Sequence, residues 1–319
     1  MRLVTFSPLP EGYPRAGVRV GHRILDIEAG SRVDGEPLPR SMKELLRAGR
    51  GALSRVVALA KAAQSNAGRF SGAMYEEGAV RWLPPVPDPD KFLCVGKNYR
   101  AHLEELKKND LIKEMPEEVT GFVKLQSSLV GHEAKVAKPA AVARLDYEPE
   151  LVFVIGRRTS GFTDDDEWTD RVVGVTILND LTDRDMQKRE VASGSRFWTA
   201  KNAPGFGPVG PEIITLDEIE DAYDLWMVCT VNGEERMRVN TGDQIWKMDD
   251  ILKHFSRTMV LEPGDMFSTG APGGVAVGKP NAAELFLKPG DVVECGIEGL
   301  ATLRTTIVAP PPRKASAAP

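Results

Sequence analysis

The chain has 319 residues, of which 42% are hydrophobic and 27% charged, and this composition excludes wholesale disorder. Its 41 basic and 46 acidic side chains leave a formal net charge of −5. That balance argues against a nucleic-acid partner, because neutralising phosphates requires a basic surface. The sequence has no run of about 18 apolar residues, so we expect no membrane partner.

The three cysteines, Cys94, Cys229 and Cys295, are far apart and form no Cys-x-x-Cys pair. They therefore predict neither a disulfide framework nor a thiolate zinc site. Cys94 and Cys229 lie in apolar runs, which is typical of core thiols. The first residues lack an apolar stretch long enough for a signal peptide, so we expect a reducing cytoplasm.

Residues 1–83 are predicted to form a small N-terminal domain. It begins with short strands, RLVTF and VRVGHRILDI, with turns at Gly17 and Gly21. Helical structure is expected over 41–64, where Ser41 could be an N-cap with Glu44 at capping-box spacing.

Four prolines in WLPPVPDPDKF exclude a helix interior or a central strand, so we place the domain boundary there. Residues 84–309 form the predicted catalytic domain, and 310–319 a disordered tail. Many strands alternate with few helices in no regular order, which indicates an α+β fold with a mostly β catalytic domain.

The elements of the larger domain are predicted in chain order, with a loop or lid at 109–120. They are a strand FLCVG, a helical KNYRAHLEELKKND, strands FVKLQ, ARLDYEPELVFVIGRR and DRVVGVTILND, a helix LTDRDMQKRE, a loop SGSRFWTAKNAPGFGPVGPEI, a hairpin turning at Asn232-Gly233, a helix DDILKHFSRTM, and terminal strands after two Pro-Gly-Asp turns.

Glu148 and Glu150 in DYEPEL are two residues apart, so on a strand both carboxylates project from one face. Their repulsion is costly unless a cation or a proton lies between them. The alternative is a solvent-exposed strand edge, which the intervening Pro149 favours.

Asp180 ends the apolar strand DRVVGVTILND, and it could instead cap the helix that follows. With the two glutamates it makes a set of three carboxylates. Oxygen-only ligands favour a hard cation, Mg²⁺ or also Mn²⁺ or Ca²⁺, with positions left that a bidentate 2-oxo acid could occupy.

His102 lies three residues before Glu105, so a helix would place both on one face. A carboxylate beside an imidazole raises its basicity, as a general base that deprotonates water requires. An exposed helix with a chance pair is the alternative.

Lys201 follows an aromatic stretch in the Gly/Pro-rich loop, where it could stabilise an enolate or could be a solvated surface lysine. Asp185 could be the salt-bridge partner of Arg184. Substrate-side candidates are the polar residues near these motifs: Lys124, Arg184, Gln187, Tyr99, Arg100 and Thr269.

The motifs VGKNYRAHLEE, GFVKLQSSLVG, DYEPELVFVIG, GVTILNDLTDRDMQ, GPVGP, STGAPGGV and PGDVVE occur in this order over about residues 90–308. In type and spacing they resemble the fumarylacetoacetate hydrolase family. The resemblance implies a catalytic fold of mixed β-sandwich or roll type and a homodimer. It implies Mg²⁺ or Mn²⁺ at Glu148, Glu150 and Asp180.

The resemblance also implies a water-activating pair, His102 and Glu105, and a catalytic Lys201. Two positions depart from the family pattern, since Ala271 replaces a threonine and Pro204 an aspartate. Both departures concern the substrate end of the pocket.

The function predicted from the resemblance is metal-dependent hydrolysis of a carbon–carbon bond in a small anionic 2-oxo or 1,3-dicarbonyl acid, of the acylpyruvate or fumarylpyruvate type known from aromatic catabolism. A decarboxylase, isomerase or dehydratase of an oxo acid on the same metal site is the alternative. A homologue that binds metal and ligand without turnover is a second alternative.

Overall fold

The computed structural model describes residues 1–10, 12–101, 103–104, 117–195 and 197–311. The strands are β1 (Arg2–Pro8), β2 (Arg15–Val20), β3 (Arg23–Asp26), β4 (Met74–Glu76), β5 (Val80–Leu83), β6 (Phe92–Val95), β7 (Gly121–Val123), β8 (Leu129–Val130), β9 (Ala134–Ala137), β10 (Leu145–Asp146), β11 (Pro149–Ile155), β12 (Val172–Asn179), β13 (Thr182–Asp183), β14 (Gly207–Thr215), β15 (Trp226–Val231), β16 (Glu234–Asn240), β17 (Met266–Ser268), β18 (Val292–Ile297) and β19 (Ala301–Val308). The α-helices are α1 (Ile27–Val33), α2 (Met42–Arg47), α3 (Gly49–Ser65), α4 (Arg184–Ala192), α5 (Met248–Ser256) and α6 (Ala282–Leu285).

Two large sheets confirm the predicted α+β class. Twelve strands form one sheet in the order β4-β3-β2-β1-β14-β12-β11-β17-β6-β7, with β5 on β1 and β8 on β14. A second sheet runs β16-β15-β18-β19-β9, and β10 pairs with β13. Because β1 pairs with both β14 and β5, strands from both sides of residue 83 share one sheet, and the domain division stays a prediction.

The central strand β11 is buried along its whole length between β12 and β17. Phe153 belongs to one hydrophobic cluster, which includes β15 and β18 residues of the smaller sheet. Val152 and Val154 belong to another, which includes residues of α2 and α3. This alternation follows from the two-residue period of a strand, and it points Glu150 to the side of Val152 and Val154.

The N-terminal predictions were partly wrong. Ser41 accepts a hydrogen bond from the N–H of Glu44 at 3.2 Å, which confirms the N-cap. The helical segment is divided into α2 and α3, and α3 begins at Gly49, whose φ is 77°. Gly21 lies in the predicted turn, whereas Gly17 lies within β2. A Cβ at Gly17 would lie 2.6 Å from Cγ2 of Ile24, so the glycine permits close packing.

Two elements of the larger part also differ from prediction. ARLDYEPELVFVIGRR forms two strands, β10 and β11, and the expected loop GPVGPEI belongs to β14, which pairs with β1, β8 and β12. Its prolines remove N–H donors, but burial of the whole strand overrides their low propensity.

Other predictions fall partly outside the described residues: residues 102 and 105–110 of the KNYRAHLEELKKND helix, most of the lid at 109–120, and the tail beyond 311. The hairpin turning at Asn232-Gly233 is confirmed as β15–β16. Cys94 and Cys229 are buried, as expected of core thiols. None of the helices among the described residues is long and apolar enough to cross a membrane.

Gly174 tests whether contact between β12 and β14 is needed for the fold. A Cβ there would overlap the carbonyl oxygen of Ile214, so we expect Gly174→Ala to lower the free energy of unfolding by about 3 kcal/mol. Gly51→Ala is the control, because Gly51 lies in α3 with open space around it and should gain up to about 1 kcal/mol. Denaturant unfolding of both variants measures the difference, and equal stabilities would contradict the close approach.

Candidate metal centre

Three carboxylates converge where β11 and β12 meet. One oxygen each from Glu148, Glu150 and Asp180 lies within 4.8 Å of the others. All three residues are buried, with exposed fractions of 4%, 2% and 0%. The alternative of a solvent-exposed strand edge is therefore wrong.

The backbone fixes this convergence. β11 and β12 are antiparallel neighbours with Pro149 opposite Asn179, so Glu148 and Asp180 both lie at the same end of the pair. The N–H of Asp180 donates to the carbonyl of Glu148 at 2.8 Å, and the Asn179 side chain accepts from the N–H of Glu148 at 3.0 Å. Helix α4 is capped by Asp183 instead, so Asp180 is not its N-cap.

Buried cations surround the carboxylates. The Lys201 ammonium donates to Glu148 and to Asp180, and it is nearly inaccessible to solvent. The Lys124 ammonium lies 2.5 Å from Asp180 Oδ1, and Arg184 Nη1 lies 2.6 Å from Glu148 Oε1. The surface-lysine alternative for Lys201 is thus wrong, and Lys124 is also buried.

Burial and charge shift the ionisation of this cluster. Burial first, and the neighbouring Asp180 carboxylate second, raise the pKa of Glu150 well above the ordinary value of a glutamate. Burial alone would lower the pKa of the Lys201 ammonium, but Asp180, Glu148 and Glu150 outweigh it and raise that pKa. Lys201 therefore stays protonated at neutral pH, whereas Glu150 resists ionisation unless another cation approaches.

Glu150 also contacts the segment after β17. The Ser268 hydroxyl donates to Glu150 Oε2, and the Gly270 N–H donates to the same oxygen at 3.1 Å. Between them, Thr269 lies with its hydroxyl 3.3 Å from that of Tyr99. Tyr99 and Thr269 are thus both brought to the site, and burial raises the pKa of the Tyr99 phenol.

Gln187 and Arg100 occupy different places. Gln187 accepts a hydrogen bond from Arg184 Nη1 at 2.9 Å, so it joins the cluster through that side chain. Arg100 is exposed and, among the described residues, its guanidinium donates to the carbonyls of Asp243 and Gln244, at 3.4 and 3.5 Å. His102 and Glu105, the predicted water-activating pair, lie outside the described residues.

Asp185 is not the partner of Arg184, because it pairs with Arg144 at 2.6 Å. Arg184 pairs with Glu148 and also with Asp146, which lies 2.8 Å from Arg184 Nε and is a buried residue that sequence reasoning missed. The two-residue strand period that singled out Glu148 and Glu150 extends back to Asp146, so the signal was present. Ser268 was also missed, since a lone serine beside a Thr-Gly motif has no distinctive spacing.

The donor set fits a divalent metal ion. The three carboxylates supply only oxygen atoms, which hard divalent cations prefer. They are buried and close together, an arrangement that is costly without a cation. The described residues therefore include a buried acidic triad that could bind a divalent metal.

This chain is similar to known proteins over most of its length. It is 33% identical over 311 residues to the mitochondrial oxaloacetate tautomerase fahd2 of Xenopus laevis, covering 97% of this chain and 90% of the relative. It is 32% identical over 289 residues to the oxaloacetate tautomerase YisK of Bacillus subtilis (strain 168), covering 89% and 93%.

A solved structure shares the fold. The maleylpyruvate hydrolase of Sphingobium sp. SYK-6, determined with a manganese(II) ion and pyruvate, matches with a TM-score of 0.72 and 28% identity over 98% of this chain and 100% of that chain. Residues 91–308 match the fumarylacetoacetate (FAA) hydrolase C-terminal family, nearly the span of the sequence motifs. This chain belongs to the fumarylacetoacetate hydrolase family.

Proposed function

We propose that this protein is a divalent-metal-dependent tautomerase that interconverts the keto and enol forms of oxaloacetate or a closely similar 2-oxo dicarboxylic acid. The observation that carries the proposal is the buried cluster of Glu148, Glu150 and Asp180 against Lys201. Two tautomerase relatives of nearly full length support the reaction type.

Mg²⁺ is the metal we propose, with Mn²⁺ as a substitute and Ca²⁺ less suited to a compact triad. Oxygen-only donors favour these ions, and the Sphingobium relative supports Mn²⁺ through the ion bound in its structure. When bound, the ion would supply a Lewis acid for the 2-oxo group of the substrate. Glu148, Glu150 and Asp180 would hold it.

The surrounding cations suit an enolate. In tautomerisation one proton leaves the carbon beside the oxo group and another is added to the oxo oxygen, so no atom is gained or lost. The Lys201 ammonium is buried, protonated and fixed by two carboxylates, and so offers a positive charge that needs no reorganisation as the enolate forms.

The substrate end of the pocket is the part where this chain departs from the family pattern. Ala271 is buried there and has no hydroxyl to offer a substrate carboxylate. Thr269 lies two residues before Ala271, and the Tyr99 hydroxyl lies 3.3 Å from the Thr269 hydroxyl. These two hydroxyls are the polar groups that we propose in place of the missing one. Lys124, Arg184 and Gln187 would complete the binding site from the opposite side.

Hydrolysis of a carbon–carbon bond is the second candidate, supported by the Sphingobium maleylpyruvate hydrolase. In that reaction His102, with Glu105 behind it, would deprotonate a water that attacks the distal carbonyl. The bond to the adjacent carbon then breaks, its electron pair forms an enolate, and a proton converts the enolate to the 2-oxo acid product. A decarboxylase, a dehydratase or a non-catalytic binder would use the same metal site.

The cytoplasmic location and the homodimer remain predictions from the sequence. The three cysteines are free and buried, which is compatible with a reducing compartment. Among the relatives, the Xenopus protein is described as mitochondrial.

Removing one carboxylate tests the metal site. We expect Glu150→Gln to weaken Mg²⁺ or Mn²⁺ binding by about 100-fold or more and to abolish metal-dependent turnover. The reason is that losing even a residue that only hydrogen-bonds to a metal ligand lowers metal affinity by about 10–100-fold. Glu212→Gln is the control, since Glu212 is equally buried but pairs with Arg2 and Arg19. Titration calorimetry measures both, and full activity of Glu150→Gln after chelator treatment would make the assignment wrong.

Metal binding should depend on pH. Because the pKa of Glu150 is raised, the metal-free protein keeps a proton there at pH values where an ordinary glutamate is ionised. Binding must displace that proton, so metal affinity should rise as pH increases through the raised pKa and then level off. Calorimetry in buffers of different ionisation enthalpy counts the released protons. An affinity independent of pH above the ordinary glutamate range, without proton release, would contradict this ionisation.

A substrate panel distinguishes the reactions. Oxaloacetate, an acylpyruvate and a muconate-type diene acid are each incubated with the protein and Mg²⁺ or Mn²⁺, and products are identified by mass spectrometry together with enol absorbance. We expect faster keto–enol exchange of oxaloacetate without a change of mass. Release of carbon dioxide, or cleavage into pyruvate and a carboxylic acid, would favour the alternatives, and metal-dependent binding without any product would favour a binder.

His102→Ala sharpens the comparison in the same panel. Any cleavage that depends on the predicted water-activating pair should disappear in this variant. His22→Ala is the control, since His22 lies exposed in the turn between β2 and β3. Cleavage that survives His102→Ala would remove that residue from the hydrolytic route.

A further inference from the structure

We infer that Asp146 is a positioning residue of the metal centre, which holds Arg184 so that its guanidinium fixes the Glu148 carboxylate. The inference rests on the proposed function, because it concerns the metal affinity of the same carboxylates. Asp146 is not one of the three clustered carboxylates, and it would act only through Arg184 and the backbone around it.

Asp146 and Glu148 share one guanidinium. Arg184 Nε lies 2.8 Å from Asp146 Oδ2, while Arg184 Nη1 lies 2.6 Å from Glu148 Oε1. Asp146 is completely buried and Arg184 is 5% exposed, so solvent screens neither pair strongly. A buried arginine bridging two carboxylates has its orientation set by both of them.

Asp146 is itself rigidly held. Its Oδ1 accepts the N–H groups of Tyr147 at 2.9 Å and Ala276 at 3.0 Å, and its Oδ2 accepts that of Val277 at 3.0 Å. Asp146 also lies opposite Thr182 in the β10–β13 pair, and Thr182 lies between Asp180 and Arg184 in sequence. The carboxylate thus ties three chain segments to one point beside the triad.

One donor of Arg184 is left over. Its Nη2 atom is buried and has no hydrogen-bond partner among the residues that the structure describes. A buried donor without a partner is costly, and it suggests a group that a ligand satisfies. The direction of this donor depends on how Asp146 holds the opposite side of the guanidinium.

Loss of the Asp146 charge should therefore affect the metal before it affects the fold. Without the Asp146 charge, Glu148 is the one carboxylate of these two that still pairs with the Arg184 guanidinium. The guanidinium then competes more strongly with a metal ion for the Glu148 carboxylate oxygen. We therefore expect metal affinity to fall by about as much as when a residue that hydrogen-bonds to a metal ligand, without touching the metal itself, is removed.

The test is the dissociation constant for Mg²⁺ and Mn²⁺, measured by calorimetry on the full chain. We expect Asp146→Asn to weaken binding by about 10- to 100-fold. The matched control is Asp26→Asn: Asp26 is also buried, pairs with Arg15 at 2.6 Å and accepts the Ala29 N–H at 3.0 Å, far from the triad in sequence. Both variants lose stability, but only Asp146→Asn should lose metal affinity.

A double-mutant cycle tests the route through the arginine. In an Arg184→Lys background, Asp146→Asn should cost much less affinity than in the wild type, because lysine cannot bridge both carboxylates. If Asp146→Asn does not fold, Asp146→Glu is the second variant, because it keeps the charge but displaces Arg184 by one methylene. We expect it to weaken metal binding by about 3- to 10-fold, less than removal of a residue that holds a metal ligand in place.

Three outcomes overturn the inference. Unchanged metal affinity in the folded Asp146 variants leaves the proposed function standing and removes the positioning role. Additive losses in the cycle show that Asp146 does not act through Arg184. Absence of metal binding by the wild-type protein overturns both the inference and the proposed function.

Discussion

Burial of like charges is the constraint on which the rest of this structure depends. Glu148, Glu150 and Asp180 lie close together with little access to water, and such a cluster persists only if cations compensate it. Lys201 and Lys124 supply two of these charges, and each is fixed by backbone or carboxylate contacts. The site is therefore a core element whose negative charges are largely but not fully compensated, and the surrounding sheet must be rigid enough to keep it assembled.

The sheet provides that rigidity through ordinary strand physics. β11 is covered on both faces, and the two-residue period that sends Phe153 to one cluster and Val152 to the other also aligns the glutamates. This local rule is why the sequence alone predicted Glu148 and Glu150 as a pair, whereas the α+β class followed from the irregular order of many strands and few helices. Asp180 and Lys201 were candidates from their own local sequence, and the resemblance of the motifs to a family then implied that they act at the same site as the glutamates.

What the sequence did not reveal depends on contacts between distant segments. Its neighbour Asp185 was one possible partner of Arg184, but that side chain pairs with Arg144. β14 was expected to be a loop because proline and glycine disfavour strands, yet pairing with β1 and β12 outweighs that local preference. In both cases a tertiary interaction decides between options that are equally compatible with local sequence.

The net charge of −5 does not by itself favour the anionic substrate that we propose, but a bound divalent ion would reverse the sign of the charge at the site. With all groups ionised, the triad and Asp146 bring four negative charges, and Lys124, Arg184 and Lys201 bring three positive ones. A divalent ion would turn the remaining negative charge into a positive one. In a buried site that sign governs binding more than the distant surface charges do, because water and salt screen the latter. On the proposed function, removing one carboxylate would therefore change the charge that a substrate meets and would also remove a ligand of the metal ion.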